Sequence, residues 1–90
     1  MAMVVAEFGE PVRGPSGSGF RARACALATP RGQWQGWIEF DPIDGAPTFR
    51  SPHETIVATR SAVVLWASEL TASHLERALT RALGRLQTSR

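Results

Sequence analysis

Ninety residues give room for one domain, and 43% hydrophobic with 20% charged residues is a globular composition rather than a disordered one. No unbroken apolar run exceeds the six residues of Ala62–Ala67, too few to cross a bilayer as a helix, and the single cysteine, Cys25, excludes an internal disulfide and a Cys-rich zinc site. All ten basic residues are Arg, so the pI is about 10.0 although the net charge is only +2, and the chain is charge-striped rather than basic.

Residues 1–19 read as a flexible N-terminal segment, with room for a short strand at 3–8, because Gly9–Gly19 holds four Gly, two Pro and two Ser. No secretory leader is expected: Ala2–Ala6 is short for an h-region and no Lys or Arg stands before it. Residues 20–88 read as the single domain. From Phe20 the pattern alternates, with Phe20, Ala22, Ala24, Ala26 and Ala28 on one face and Arg21, Arg23, Cys25 and Leu27 on the other. Thr29-Pro30-Arg31-Gly32 suits a three-residue hairpin loop in which Pro presets φ and Gly takes the left-handed position. That loop sets Ala28 opposite Trp34, Ala26 opposite Gly36, Ala24 opposite Ile38 and Ala22 opposite Phe40. On the second face Arg23 then meets Glu39 and Arg21 meets Asp41, so both faces agree on one register. Asp44-Gly45 is a second hairpin signal, pairing Phe40 with Phe49 and Glu39 with Arg50.

Thr55–Thr59 is β-branched and extends the third strand after a bulge. The competing reading, a helix start at Ser51-Pro52-His53-Glu54, is disfavoured by the Thr-Ile-Val run that follows. Beyond it, Val63, Trp66, Ala67 and Leu70 lie on one helical stripe. Thr71 is an N-cap candidate for a second helix, in which Leu75, Ala78, Leu79, Ala82, Leu83 and Leu86 repeat at three and four. The expected architecture is α+β: a three-stranded antiparallel meander followed by two C-terminal helices packed on one sheet face.

The segment Trp34-Gln35-Gly36-Trp37-Ile38-Glu39-Phe40 resembles the W-x-G-W-[IL]-E-F segment of a small uncharacterised bacterial protein family. Glu54-Thr55, Trp66-Ala67 with Leu70, and Leu75-Glu76 with Ala78-Leu79 continue the similarity over about residues 34–83. The chain departs from that pattern at His53, where Arg is expected, and at His74, where Tyr is expected. The resemblance implies a fold and a bacterial, cytoplasmic setting, and no activity.

Chemistry-bearing patterns are sparse. No H-E-x-x-H, G-x-G-x-x-G, Walker or G-x-S-x-G sequence occurs, and His53, His74, Glu54, Glu69 and Glu76 lack metal-ligand spacing. Nothing in the sequence brings Ser61, His74 and Glu69 together as a nucleophile set. The expectation is therefore no enzyme, no cofactor and no metal. Two surfaces remain. Trp37 shares its strand face with Arg21, Arg23, Glu39, Asp41 and Arg50, and a Trp among charges stacks on Arg or anchors a partner. Trp37, Arg21, Arg23 and Arg50 are thus the candidate partner-binding residues. Arg77, Arg81 and Arg85 form an uncompensated stripe on the last helix and are the alternative anion-binding set. In outline, three strands bearing Arg and Trp before a helix are similar to the plant AP2-type DNA-binding domains, yet Glu39 and Asp41 on the same face repel phosphate. The expected function is a small non-enzymatic interaction module binding protein or a second copy of itself, with no membrane association. Weak nucleic-acid binding through Arg is the alternative.

Overall fold

The computed structural model describes residues 2–15 and 17–88, the last four of these by backbone alone. The chain forms β1 (Met3–Glu7), β2 (Val12–Arg13), β3 (Gly19–Ala28), β4 (Trp34–Pro42), β5 (Phe49–Arg50) and β6 (Thr55–Val57), followed by α1 (Arg60–Ser68) and α2 (Ala72–Thr88). All strands join one antiparallel sheet, with β3 and β4 at its centre, β1 and β2 along the outer side of β3, and β5 and β6 along the outer side of β4. The fold is therefore α+β in two layers.

The central hairpin follows from its loop. Gly32 takes φ +82°, Gly32 N–H donates to Thr29 O at 2.9 Å, and Thr29 N–H donates to Gln33 O at 2.7 Å. A left-handed residue at this point admits Gly without steric cost. The ladder beyond it runs unbroken from Ala28↔Trp34 to Phe20↔Pro42, the register expected from the alternation. Ala22, Ala24, Ala26, Gly36, Ile38 and Phe40 are all buried beneath the helices. The small side chains of β3 let the helices approach, and Gly36 is the tightest point: a Cβ there would stand 2.7 Å from Trp66 Cζ3 and 2.9 Å from Thr55 Cγ2. Val63 and Ala67 of α1, and Leu75, Ala78, Leu79 and Ala82 of α2, close the core. Thr59 caps α1, its Oγ1 accepting from Ala62 N–H at 3.1 Å, and Thr71 Oγ1 accepts from His74 N–H at 3.3 Å in the first turn of α2.

The sheet is wider than a three-stranded meander. The segment before β3, expected as flexible with room for a short strand at 3–8, forms the edge beside β3: Met3–Glu7 is that strand, and Val12 is buried opposite Phe20. Val12 enters the core and Phe8 packs against it. The segment's Gly and Pro serve the 9–11 crossing and a turn closed by Gly14 N–H donating to Ser18 O at 2.8 Å.

The opposite edge breaks once. β5 keeps the expected Phe40↔Phe49 and Glu39↔Arg50 pairs, but Gly36 pairs with Thr55, so the register has moved by two residues. Ser51 spans the break. Its N–H donates to Ile38 O at 2.8 Å, and its Oγ accepts from Ile38 N–H at 3.0 Å, where a continued ladder would use the Ser51 carbonyl. Ser51 is fully buried, and its hydroxyl donates onward to Pro52 O at 2.9 Å. The bulge and β6 agree with the strand reading of Thr55–Thr59 over its first three residues, and the helix begins only at Arg60.

Two outcomes are expected. Gly36→Ala destabilises by about 1–3 kcal/mol through overpacking, and Trp66→Leu in the same chain recovers part of that loss in a urea-unfolding double-mutant cycle. Deleting residues 1–13 removes β1, Phe8 and Val12 and abolishes the dispersed amide spectrum, whereas removing Met1 alone leaves it intact.

Candidate interaction surface

The helices cover one face of the sheet. The other carries Glu7, Arg21, Arg23, Cys25, Leu27, Gln35, Trp37, Glu39, Asp41, Arg50 and Ile56, which the register places on one side. Towards its Arg21 end the face is charged. Towards the central hairpin loop it is apolar, with Val4 opposite Cys25 and Ile56 opposite Gln35, 48% and 56% exposed.

The charged part is one connected network. Arg23 donates to Glu39 Oε1 from Nε at 3.2 Å and from Nη2 at 2.9 Å, and its Nη1 bonds Asp41 Oδ2. Thr48 Oγ1 donates to the other Asp41 oxygen. Trp37 Nε1 donates to Glu39 Oε2 at 3.0 Å, and the Arg50 guanidinium lies 4.0 Å from the centre of the Trp37 ring. The hydrogen bond from Thr48 and that from Arg23 hold the Asp41 carboxyl below the usual Asp range, and the Asp41 hydrogen bond raises the Arg23 guanidinium in turn. Burial pushes the Cys25 thiol up, so it lacks the thiolate character of a reactive cysteine.

Four expectations are corrected by this geometry. Trp37 is not an exposed anchor: it is 1% exposed, paired with Cys25 of β3 and lying in the space opened where the bulge leaves no residue of β5 or β6 paired with it, beneath Arg50 and 6.2 Å from the His53 ring centre. Arg21 sits opposite Asp41 but does not pair with it, because Arg23 reaches that carboxylate; Arg21 makes no ion pair among the described residues. Arg50 sits opposite Glu39 and stacks on Trp37 instead. On α2, Arg81 pairs with Glu54, so the helix stripe is not uncompensated. Arg77 is exposed, and the Arg85 side chain lies outside the described residues. Arg23 and Arg50 are thus brought together through Trp37 and Glu39, while Arg21 stands at the margin. Ser51 and His53, which shape the bulge, carry no motif; only the Ser-Pro break in the strand marks them.

Of the residues considered for catalysis, Ser61 and His74 make local contacts. Ser61 Oγ contacts Thr59 Oγ1 at 3.4 Å on α1, while His74 Nδ1 accepts from Thr71 N–H at 3.1 Å in the α2 cap. Among the described residues no group of three or more His, Cys, Asp or Glu is arranged to hold a metal ion, and no helix is long and apolar enough to cross a membrane. Comparison with protein-family models, curated proteins and solved structures finds no match to this chain.

The lowered Asp41 carboxyl has a pH consequence. Its contribution to stability is complete above the pH at which an unfolded Asp ionises, about 4, and is lost as pH falls through the lower folded value. Asp41→Asn is expected to cost about 0.2–1 kcal/mol at neutral pH, as for other partly exposed pairs. Urea unfolding across the acid range should show the difference from wild type vanish at the acid end.

Proposed function

We propose that this chain is a small non-enzymatic interaction module that binds a protein partner, or a second copy of itself, through the sheet face its helices leave uncovered. The observation that carries this reading is the composition of that face. A preassembled Arg23–Glu39–Trp37 network with Arg50 over its indole shares the face with exposed Val4 and Ile56, which sets apolar side chains beside paired polar groups, the arrangement of a protein interface. Trp37 serves as the floor of this surface rather than as its anchor. The contact groups are then Arg50, Val4 and Ile56 on the same face. A bacterial, cytoplasmic setting is part of the same proposal and rests on the Trp34–Phe40 resemblance.

The nucleic-acid alternative draws on Arg21 and Arg77, but Arg23 and Arg81 are each held by carboxylates and would have to release them to bind phosphate. Sedimentation velocity and affinity capture test the preferred reading. Ile56→Glu, an exposed change that leaves the core intact, is expected to abolish association. A strict monomer with no captured partner overturns the proposal. A steep fall of nucleic-acid affinity with salt, unchanged in Ile56→Glu, would favour the alternative.

A further inference from the structure

Arg50 is a fixed cation whose expected partner is already occupied. It lies opposite Glu39 in the β4–β5 register, where an Arg–Glu cross-strand pair forms readily. Both Glu39 oxygens are in use, however: Oε1 accepts twice from Arg23 and Oε2 accepts from Trp37 Nε1. Asp41, the next carboxylate on the face, is taken by Arg23 and Thr48. Among the described residues the Arg50 side chain consequently makes no hydrogen bond or ion pair, and its guanidinium lies over the Trp37 ring. Stacking engages the flat face of the guanidinium and leaves its in-plane N–H donors unused. The ring beneath is buried and tied to Glu39, which is tied to Arg23, so the cation is held in place before any ligand arrives. The Ser51 bulge adds a wall: Arg50, Ser51, Pro52 and His53 line a shallow cleft of about 310 Å³, with the His53 ring beside that of Trp37.

We propose that Arg50 is an oxyanion-binding residue and that this cleft takes a carboxylate, supplied by an acidic side chain of the protein partner; this rests on the uncovered sheet face being the interaction surface. A free planar guanidinium matches a carboxylate bidentately. The surrounding face favours a singly charged group, because Arg21, Arg23 and Arg50 are balanced there by Glu7, Glu39 and Asp41. A phosphate dianion would bring a second negative charge onto a face whose formal charges already cancel, with Glu39 on the strand opposite Arg50.

The test is an NMR titration of the full chain with sodium acetate and, separately, inorganic phosphate, with ionic strength held constant by sodium chloride. Acetate is expected to give saturating shifts at Arg50 Nε–H, the Trp37 indole N–H and the His53 amide. Those shifts vanish in Arg50→Gln and weaken about fivefold or more in Arg50→Lys, which keeps the charge and loses the planar fork. Retained amide dispersion in both variants shows that they fold. Shifts that persist in Arg50→Gln, or none beyond the chloride control, overturn the inference, and tighter phosphate binding overturns the carboxylate assignment. The two proposals fail separately. Acetate binding at Arg50 without any captured partner removes the interaction-face reading and leaves the anion site standing, whereas association that survives Arg50→Gln unweakened keeps the face and refutes the role given to Arg50.

Discussion

A slip of one residue between β3 and β4 would send Ala22, Ala24, Ala26, Ile38 and Phe40 to the open side and bury Arg21, Arg23 and Glu39 beneath the helices. Every other feature of this protein depends on that slip being forbidden. The loop Pro30-Arg31-Gly32 sets the phase of the pairing, and the two faces reinforce it from opposite directions. The small side chains of β3 admit α1 and α2 on one side, and the Arg23–Glu39 pair closes only in the same register on the other. Hydrophobic burial supplies most of the energy; the ion pair contributes little stability and some specificity.

The Ser51 bulge turns a regular sheet into one with a distinctive face. An unbroken third strand would have set a residue directly opposite Trp37. The two-residue shift instead leaves the indole room beneath Arg50 and carries His53 to its side. The cost of breaking a buried ladder is met locally. Ser51 Oγ accepts the Ile38 N–H that would otherwise be orphaned, and leaving such a donor unsatisfied costs about 1–3 kcal/mol. One hydroxyl thus permits the bulge, the bulge permits the buried Trp, and the Trp carries the stacked Arg.

Carboxylate supply then decides which cations are free. Arg23 occupies both central acids of the face, Trp37 takes the remaining Glu39 oxygen, and Glu54 holds Arg81 at a distance from them. Counting Arg residues along the chain overstates the basic surface for this reason. Among the described residues the cations left without a carboxylate, Arg13, Arg21, Arg31, Arg50, Arg60 and Arg77, are spread over strands, loops and helices, which suits a partner met at discrete points better than a continuous polyanion.

The β3–β4 register, the Phe40–Phe49 pair, the β6 strand, the Thr71 cap of α2 and the buried stripes of both helices were all legible in the sequence. Each depends on near neighbours or on a periodicity of two or 3.6 that fixes which side chains share a face. Of the N-terminal edge only a possible short strand at 3–8 was legible; its pairing with β3 and the burial of Val12 were not, because both segments are too short to show a period amid Gly and Pro. Parity placed Trp37 on the face with Arg50 but could not say that the ring is buried, since its depth depends on a register shift set by one serine hydroxyl. Parity likewise set Arg21 against Asp41 and Arg50 against Glu39. Long flexible side chains reach diagonally as readily as straight across, so which acid meets which Arg is decided by the competition among all of them in the folded sheet. The sequence by itself determined the two faces and the alignment of their strands; tertiary structure alone decided which groups on the open face remain free to bind, because that depends on who has already been paired.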